Sequence, residues 1–474
     1  TERTILMNII NDITEKIIKH IGYLADKPLR GQAALTGAVE DTLGLVMEIG
    51  ADIIRDYIEM LEEGLITNED RKAEWNVHIK NREKTIATKL GDITYKRTYY
   101  RNRETGAFRH LVDDLLEVEP HERIDLGLKE DMLKKAKEMS YQQVIDSYDN
   151  ISITSRTTVK NVVHKAPMET AGLGSIEKPK EKKRVPVIYI EADEDHVHQQ
   201  KGKGMLMKLA YIHDGKETVE VVTTAKRKRM RLIGSKYITG LYPQNDELWF
   251  EVLDYLEEHY DLDYVERIFL SGDGAPWIRA GKDILPKCHF VIDGFHLSKY
   301  IKSTTTLYPG FERKLKRAVY SGDKEWVEAY FDSIEGNDHT LEELKRFASC
   351  KSYILGNWDE IQNRHKEGYV ECSAEGHVSH MLSHRLSSRP LSWSKKGSEN
   401  IAKLRVYTQN GGSILRLLKT GRKDFTEERS EIKCNVKSLK AKKKAIQGFS
   451  SNITILNTGK RTNMYKLLKQ IRYA

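Results

Sequence analysis

Apolar positions in the first part of the chain recur at helical spacing. In "DTLGLVMEIGADIIRDYIEMLEEGLI" the residues Val46, Ile49, Ile53, Tyr57 and Met60 step by three or four, which predicts one face of an amphipathic helix. Residues 1–75 therefore read as a helical N-terminal region whose apolar face suits a core or a self-association surface. The period then changes. In "TKLGDITYKRTYYRNRETGAFRHLV" (88–112) β-branched and aromatic residues alternate with Lys and Arg around an Asn102–Gly106 turn, which predicts a basic β-hairpin within residues 76–128. Such a ribbon needs one wet face, and its basic residues would also suit a grip on a nucleic-acid backbone.

Residues 129–168 return to helical spacing. The pattern predicts a helix to Met139, a second over Tyr141–Tyr148, a turn, and a third helix capped by Ser155. Arg156, Thr157, Lys160 and Lys165 decorate that third helix. This is the layout of a DNA-binding helix-turn-helix, although a plain three-helix packing unit has the same pattern. A charged, Pro-broken linker covers 169–184.

From 185 the pattern is mixed. "VPVIYIEAD" predicts a first strand, "MLMKLAYIHDG" (205–215) a second and "ETVEVVTTAKR" (217–227) a third, with Asp214-Gly215 as the hairpin turn between the last two. A helix (245–260), a fourth strand (265–274), a short helix from Pro276 and a fifth strand (288–296) come next. Periodicity alone gives a mixed α/β class. Three antiparallel strands followed by helix–strand–helix–strand is the order of an RNase H-like fold, here with its first part over 185–300. Residues 301–370 are helical throughout and read as an insertion. Residues 371–412 read as a helix to about Leu386, a Pro390 break and another helix, the last part of that domain. Residues 413–474 form a basic C-terminal region.

Composition narrows the class. The 474 residues are 39% hydrophobic and 31% charged, a globular balance, and no apolar run approaches the length of a membrane span. The amphipathic start mixes acids with bases, which does not fit a signal peptide. Four well-separated cysteines (Cys288, Cys350, Cys372, Cys434) argue for reduced thiols and a cytoplasmic setting. Net charge is +8, and the positive charge is clustered in "KPKEKKR", "KRKRMR" and "KAKKK", dense enough to hold phosphates.

The chemistry concentrates in acids at strand ends. Asp193 closes the first strand in "RVPVIYIEADEDHVH", and Asp273 closes the fourth in "LSGDGAPW". Adjacent strands of an α/β sheet end at one edge, so the two carboxylates can converge there. Both stay ionised only with a cation between them, and hard oxygen ligands select Mg²⁺ or Mn²⁺. A third acid would allow two ions about 4 Å apart, the arrangement for in-line phosphoryl displacement. Glu375 is the choice, in the first turn of a helix with Ser373 as N-cap, and Glu371 and Glu399 compete with it. His196 with His198, or His377 with His380 and His384, could instead serve a zinc hydrolase. The other role for His377, His380, His384 and Arg385 is a helix face turned toward DNA phosphates. His296 comes after the fifth strand, where it would orient a water or a DNA end, or cap a helix.

Taken together, "YIEADEDHVHQQ", "LSGDGAPWI", "FVIDGFHLSKYI" and "CSAEGHVSHMLSHRLSSRPLSWS" resemble the bacterial insertion-sequence transposases of the ISLre type, themselves similar to Mutator-like DDE transposases. The resemblance covers roughly residues 80–412. It implies an RNase H-like catalytic domain with a helical insertion, two divalent ions on Asp193, Asp273 and Glu375, and double-stranded DNA as partner, both as element ends and as target. It further implies a homodimer or higher oligomer on DNA, in a nucleoid-associated bacterial protein. The Mutator-type C-x-x-H after the fifth strand is represented by Asp293 and His296, which leaves the role of Asp293 open beyond catalytic support. No cysteine precedes Cys288, so a zinc module at the N-terminus is not expected. Two other functions stay open at this point: a catalytically silent DNA-binding protein of transposase descent, and the zinc hydrolase.

Overall fold

The computed structural model describes residues 2–27, 35–153, 155–219, 229–305, 311–335, 340–389 and 391–422. Within the chain two compact units separate, one from residues 1–129 and 146–154, the other from residues 130–145 and 155–422. Half of the basic run 226–231, all of 440–444 and the C-terminal region from 423 lie outside the described residues.

The first unit joins two long helices, Glu2–Asp26 and Leu35–Thr67, to a three-stranded antiparallel sheet of β1 (Trp75–Thr88), β2 (Gly91–Asn102) and β3 (Phe108–Arg109). Its core holds Ile58, Leu65, Trp75, Ile86, Ile93, Tyr95, Tyr100, Leu111 and Val112. The helix face predicted from spacing is largely exposed: Val46, Ile53 and Tyr57 keep about half their surface in solvent, at 57%, 47% and 45%. The Asn102–Gly106 turn is present, with Asn102 Oδ1 accepting the amides of Glu104 and Thr105 and Gly106 at φ +69. It leads only to the two-residue β3, however. The long hairpin is β1–β2, turning at Lys89–Leu90, with β1 beginning earlier than the alternation suggested. Two bases of this ribbon point inward. Lys84 Nζ lies 3.2 Å from buried Asp113, and Arg97 also pairs with that carboxylate, to which Tyr95 donates at 2.8 Å. Burial pushes the Lys84 ammonium down to about 8.

The second unit is a mixed α/β body around a five-stranded sheet. Its strands are β4 (Val187–Val197), β5 (Met205–His213), β8 (Lys236–Gly240), β9 (Arg267–Gly272) and β10 (Cys288–Ile292), in spatial order β10-β9-β4-β5-β8. β4, β5 and β8 pair antiparallel, whereas β9 and β10 run parallel to β4. The third antiparallel strand is thus Lys236–Gly240, which corrects the expectation for 217–227. The described part of that run, β6 (Lys216–Val219), pairs with β7 (Arg229–Leu232) in a separate two-stranded ribbon.

Side chains of β4 alternate between two environments, as the pleat requires. Ile188, Ile190 and Ala192 enter the main core with Trp249, Val252 and Leu256 of the helix Glu247–His259. Tyr189 faces the other way, with Phe269, Val291, Tyr369 and Val370. The helical stretch after β10 shares the main core through Leu315, Val319, Val327, Phe331, Phe347, Cys350, Ile354 and Ile361. The helix Arg156–Lys165 buries Val159, Val162 and Val163, and Asn400 Nδ2 of the helix Lys395–Gln409 donates to Val163 O at 2.8 Å. No described helix is long and apolar enough to cross a membrane.

Candidate active site

Strand register lines up three acids. β4 pairs with β9 through Glu191↔Ser271, and β9 with β10 through Gly272↔Ile292. Continuing both registers brings Asp193, Asp273 and Asp293 level with one another. Asp273 and Asp293 directly follow the ends of β9 and β10, whereas Asp193, expected to close its strand, lies within β4, which runs on to Val197 because β5 continues to pair with it. The Asp293 amide donates to Gly272 O at 2.8 Å and extends the ladder by one rung. Glycine is required beside Asp273 for two reasons: a Cβ on Gly272 would lie 2.9 Å from Ala192 O, and Gly274 turns the chain at φ +95.

The ligand atoms of Asp193, His296 and Glu375 all lie within 4.8 Å of one another. Asp193 is buried, His296 partly buried and Glu375 exposed, so the cluster opens to solvent on the Glu375 side. Asp193 Oδ1 accepts the Glu194 amide at 2.8 Å, and no Lys or Arg among the described residues pairs with it. Burial, together with the charges of Asp273 and Glu375, outweighs that amide and His296 and pushes the Asp193 carboxyl up to about 6. A carboxylate so placed is short of positive charge, which is the condition a divalent cation relieves.

Asp273 lies outside the three-residue cluster, with Oδ1 accepting the Ala275 amide at 2.8 Å, but its charge acts on both Asp193 and His296. The helical stretch after β10 supports it, since Tyr353 Oη donates to the Asp273 carbonyl at 2.8 Å. Asp293 is buried and accepts the Phe295 amide at 3.1 Å, and its other oxygen lies 3.0 Å from His296 Nδ1. That hydrogen bond, ahead of the opposing effect of burial, raises the His296 imidazole above its ordinary range.

Neither competing acid belongs to this cluster. Glu399 pairs with Lys403 at 3.0 Å on the helix Lys395–Gln409, and Glu371 is exposed, its backbone carbonyl accepting from Lys216. Neither histidine set gathers a three-ligand cluster among the described residues: His196 and His198 are exposed, and His377 is packed on Tyr211 with Nδ1 3.0 Å from Tyr237 Oη. The helix expected over 373–386 is broken by a π turn, running Ala374–Val378 (α), Ser379–Ser383 (π) and His384–Leu386 (α). The wider turn rotates the residues beyond it. His380 and His384 are exposed, whereas Arg385, expected to face phosphates, is buried, donates to Ala136 O at 3.1 Å and stacks over Trp393. Arg156, Thr157, Lys160 and Lys165 are all exposed, and Ser155 caps their helix by accepting the Thr157 amide at 3.2 Å.

Sequence reasoning assigned nothing to Glu191, Glu194 or Asp195. Glu191 is buried and receives Tyr211 Oη, the Ser373 amide and Ser373 Oγ on one oxygen, with His213 Nε2 at 3.0 Å and Lys216 Nζ at 3.1 Å from the other. Burial pushes its carboxyl up, but His213, Lys216 and Tyr211 together hold it far below the usual carboxylate range. Ser373, expected as a helix N-cap, makes no side-chain cap bond and spends its hydroxyl here instead. Asp195 Oδ1 accepts Ser383 Oγ at 3.0 Å and Ser387 Oγ at 2.8 Å, and Glu194 accepts Trp277 Nε1.

The chain belongs to the uncharacterised protein family UPF0236, whose profile matches residues 32–424. One UPF0236 protein of Caldanaerobacter subterraneus subsp. tengcongensis is 36% identical over 100% of this chain and 98% of its own length. Another from that organism, also 36% identical over 100% of this chain and 98% of its own length, carries a name that joins eleven loci. A Streptococcus gallolyticus relative, named for its place in a vanSb 3′ region, is 25% identical over 89% of this chain and 92% of its own. Among solved structures, the Drosophila P element transposase strand transfer complex aligns over 76% of this chain and 93% of that one, at 10% identity and a TM-score of 0.23, too loose to establish a shared fold.

Proposed function

We propose that this UPF0236 member is a DDE-type DNA transposase, which nicks the ends of its own insertion sequence and joins the freed 3′-hydroxyl to target DNA. The observation that carries the reading is the meeting of Asp193 and Glu375 beside Asp273 at the carboxyl edge of the sheet. The strand order supports it. Ranked along the chain, the five strands lie 5-4-1-2-3 with the first three antiparallel, the arrangement of an RNase H-like fold with a helical insertion before its last acid. Relatives whose shared name spans many loci of one genome fit an element that copies itself.

Asp193, Asp273 and Glu375 would hold two Mg²⁺ or Mn²⁺ ions, with His296 as a further ligand or proton acceptor. Bound there, such ions supply Lewis-acid activation of the nucleophile and charge neutralisation at the phosphate. The residues fit: no Lys or Arg among the described residues pairs with the buried Asp193 carboxylate, and the cluster opens to solvent on the Glu375 side, where a DNA strand would enter. Asp293 fixes the His296 ring through Nδ1, so Nε2 is the nitrogen that can take the proton of a water or a 3′-hydroxyl. The chemistry would be hydrolysis of the end phosphodiester by water, releasing a 3′-hydroxyl, and then transesterification, in which that hydroxyl attacks a target phosphodiester and displaces a target 3′-hydroxyl, so no Ser or Tyr nucleophile and no covalent protein–DNA intermediate is required. The exposed Arg156, Thr157, Lys160 and Lys165 are the proposed DNA contacts, with His380 and His384. Two ends must be brought together, so the working form is a dimer or larger.

The test is cleavage and strand transfer on a labelled element-end duplex with Mg²⁺, Mn²⁺ or chelator, comparing wild type with Asp193→Ala, Asp273→Ala and Glu375→Ala. Metal-dependent joining lost in each variant, with DNA binding retained, is the expected result. Binding without cleavage under any metal would instead make the chain a catalytically silent DNA-binding protein.

A further inference from the structure

Glu375 rides on a five-residue helix followed by a π turn. Helices this short have no stability of their own, because the cost of nucleation is not repaid within one turn. Something outside the segment must hold it. Arg405 holds the π turn from one side by donating to the His380 and Met381 carbonyls at 2.8 and 2.7 Å. The contacts that tie the segment to β4 come from the two acids flanking Asp193 on the same face of that strand. Glu191 takes both the amide and the hydroxyl of Ser373, two residues before Glu375, while Lys216 secures the same point through the Glu371 carbonyl and Ser373 Oγ at 3.1 Å. Asp195 takes the hydroxyls of Ser383, the last residue of the π turn, and of Ser387 beyond it. The order Glu191, Asp193, Asp195 along the strand thus matches the order Ser373, Glu375, Ser383/Ser387 along the segment.

We infer that Glu191 and Asp195 are positioning residues that lock residues 371–387 onto β4 in the one register that brings Glu375 to Asp193. The inference rests on the reading of Glu375 as the third metal-binding acid. Stability alone does not account for these acids. Asp195 keeps its second oxygen buried with no hydrogen-bond partner among the described residues, and well-packed apolar side chains would cost less there. Replacing side chains that orient metal ligands from behind typically costs about 10- to 100-fold in metal affinity or activity.

Two variants separate a clamp from general stability: Ser383→Ala/Ser387→Ala, which leaves every acid in place, and Glu191→Gln, which puts an amide against Lys216 and His213. Two measurements apply to the full chain. Hydrogen exchange of residues 373–387 in metal-free protein reads the clamp itself, and Mn²⁺ titration followed by electron paramagnetic resonance reads its effect on the site. We expect faster exchange confined to that segment and Mn²⁺ affinity lower by about 10- to 100-fold, with both restored in Ser383→Thr/Ser387→Thr, which keeps the hydroxyls. Unchanged exchange, or faster exchange with unchanged Mn²⁺ affinity, would overturn the inference. Wild type that binds no Mn²⁺ would overturn the functional reading instead, and the exchange data would still decide whether the clamp exists.

Discussion

Asp293 Oδ2 lies 3.0 Å from His296 Nδ1, three residues along the chain, and this contact commits one imidazole nitrogen of the residue that clusters with Asp193 and Glu375. It sets the tautomer, because an ionised carboxylate can only accept. Asp293→Asn removes the charge that raises His296. If neutral His296 is the working form, activity climbs with pH through its titration, and the variant moves that limb to lower pH. A pH profile of strand transfer checks this, and an unmoved limb would count against a role for His296. His296→Gln is expected to lower Mn²⁺ affinity or turnover by about 10- to 100-fold.

Asp193→Asn is expected to abolish activity yet stabilise the metal-free protein. The native carboxyl titrates near 6 against an ordinary value of 3.8, so the folded state holds the proton more tightly than the unfolded chain. The favourable contribution is therefore present at low pH and is lost as pH rises from about 4 through 6. Asparagine removes that loss, for a gain of roughly 2–3 kcal/mol above pH 7. Melting in chelator at pH 4 and pH 7.5 tests it: the variant should gain only at the higher pH, and added Mn²⁺ should raise the melting temperature of wild type alone.

Arg385 and Lys160 should behave in opposite ways. Arg385→Met removes a buried guanidinium that holds the Ala136 carbonyl and covers Trp393, and should cost about 2 kcal/mol of stability with little effect on the salt dependence of DNA binding. Lys160→Ala, on an exposed helix face, should leave stability within about 0.5 kcal/mol and reduce the slope of log K against log salt by about one. Denaturant melts and binding isotherms at several salt concentrations separate the two.

Tyr353→Phe deletes a single donor to the Asp273 carbonyl and should cost about 1 kcal/mol. A larger fall in turnover than in DNA affinity would show that the hydroxyl holds Asp273 in place, and equal falls would argue that it does not.

The end of β9 was legible because an apolar run that stops abruptly in acids is a local signal, and Asp273 directly follows its last residue. The same signal misplaced the end of β4, which runs past Asp193 to Val197 because β5 goes on pairing with the acidic stretch. The third sheet strand was not legible. "ETVEVV" has a stronger alternating pattern than "KYITG", and local pattern cannot tell a ribbon strand from a sheet strand, since only pairing partners distinguish them. Arg385 was misread because a π turn shifts the helical phase by about one residue and leaves no mark in composition. The serines at 383 and 387 carried no signal at all, because what they bond is a buried carboxylate far away in the chain.

The helices after β10 contribute Leu315, Val319, Phe331, Phe347 and Ile361 to the same core as Ile188 and Leu270. They are a wall of the body built on the five-stranded sheet and not an ornament on it. Excising them to obtain a minimal nuclease fragment would lay bare one side of the sheet and remove the Tyr353 support for Asp273, so a truncated protein should aggregate before its chemistry could be measured. Exchange of this stretch between relatives should succeed only when the strands it covers are exchanged with it.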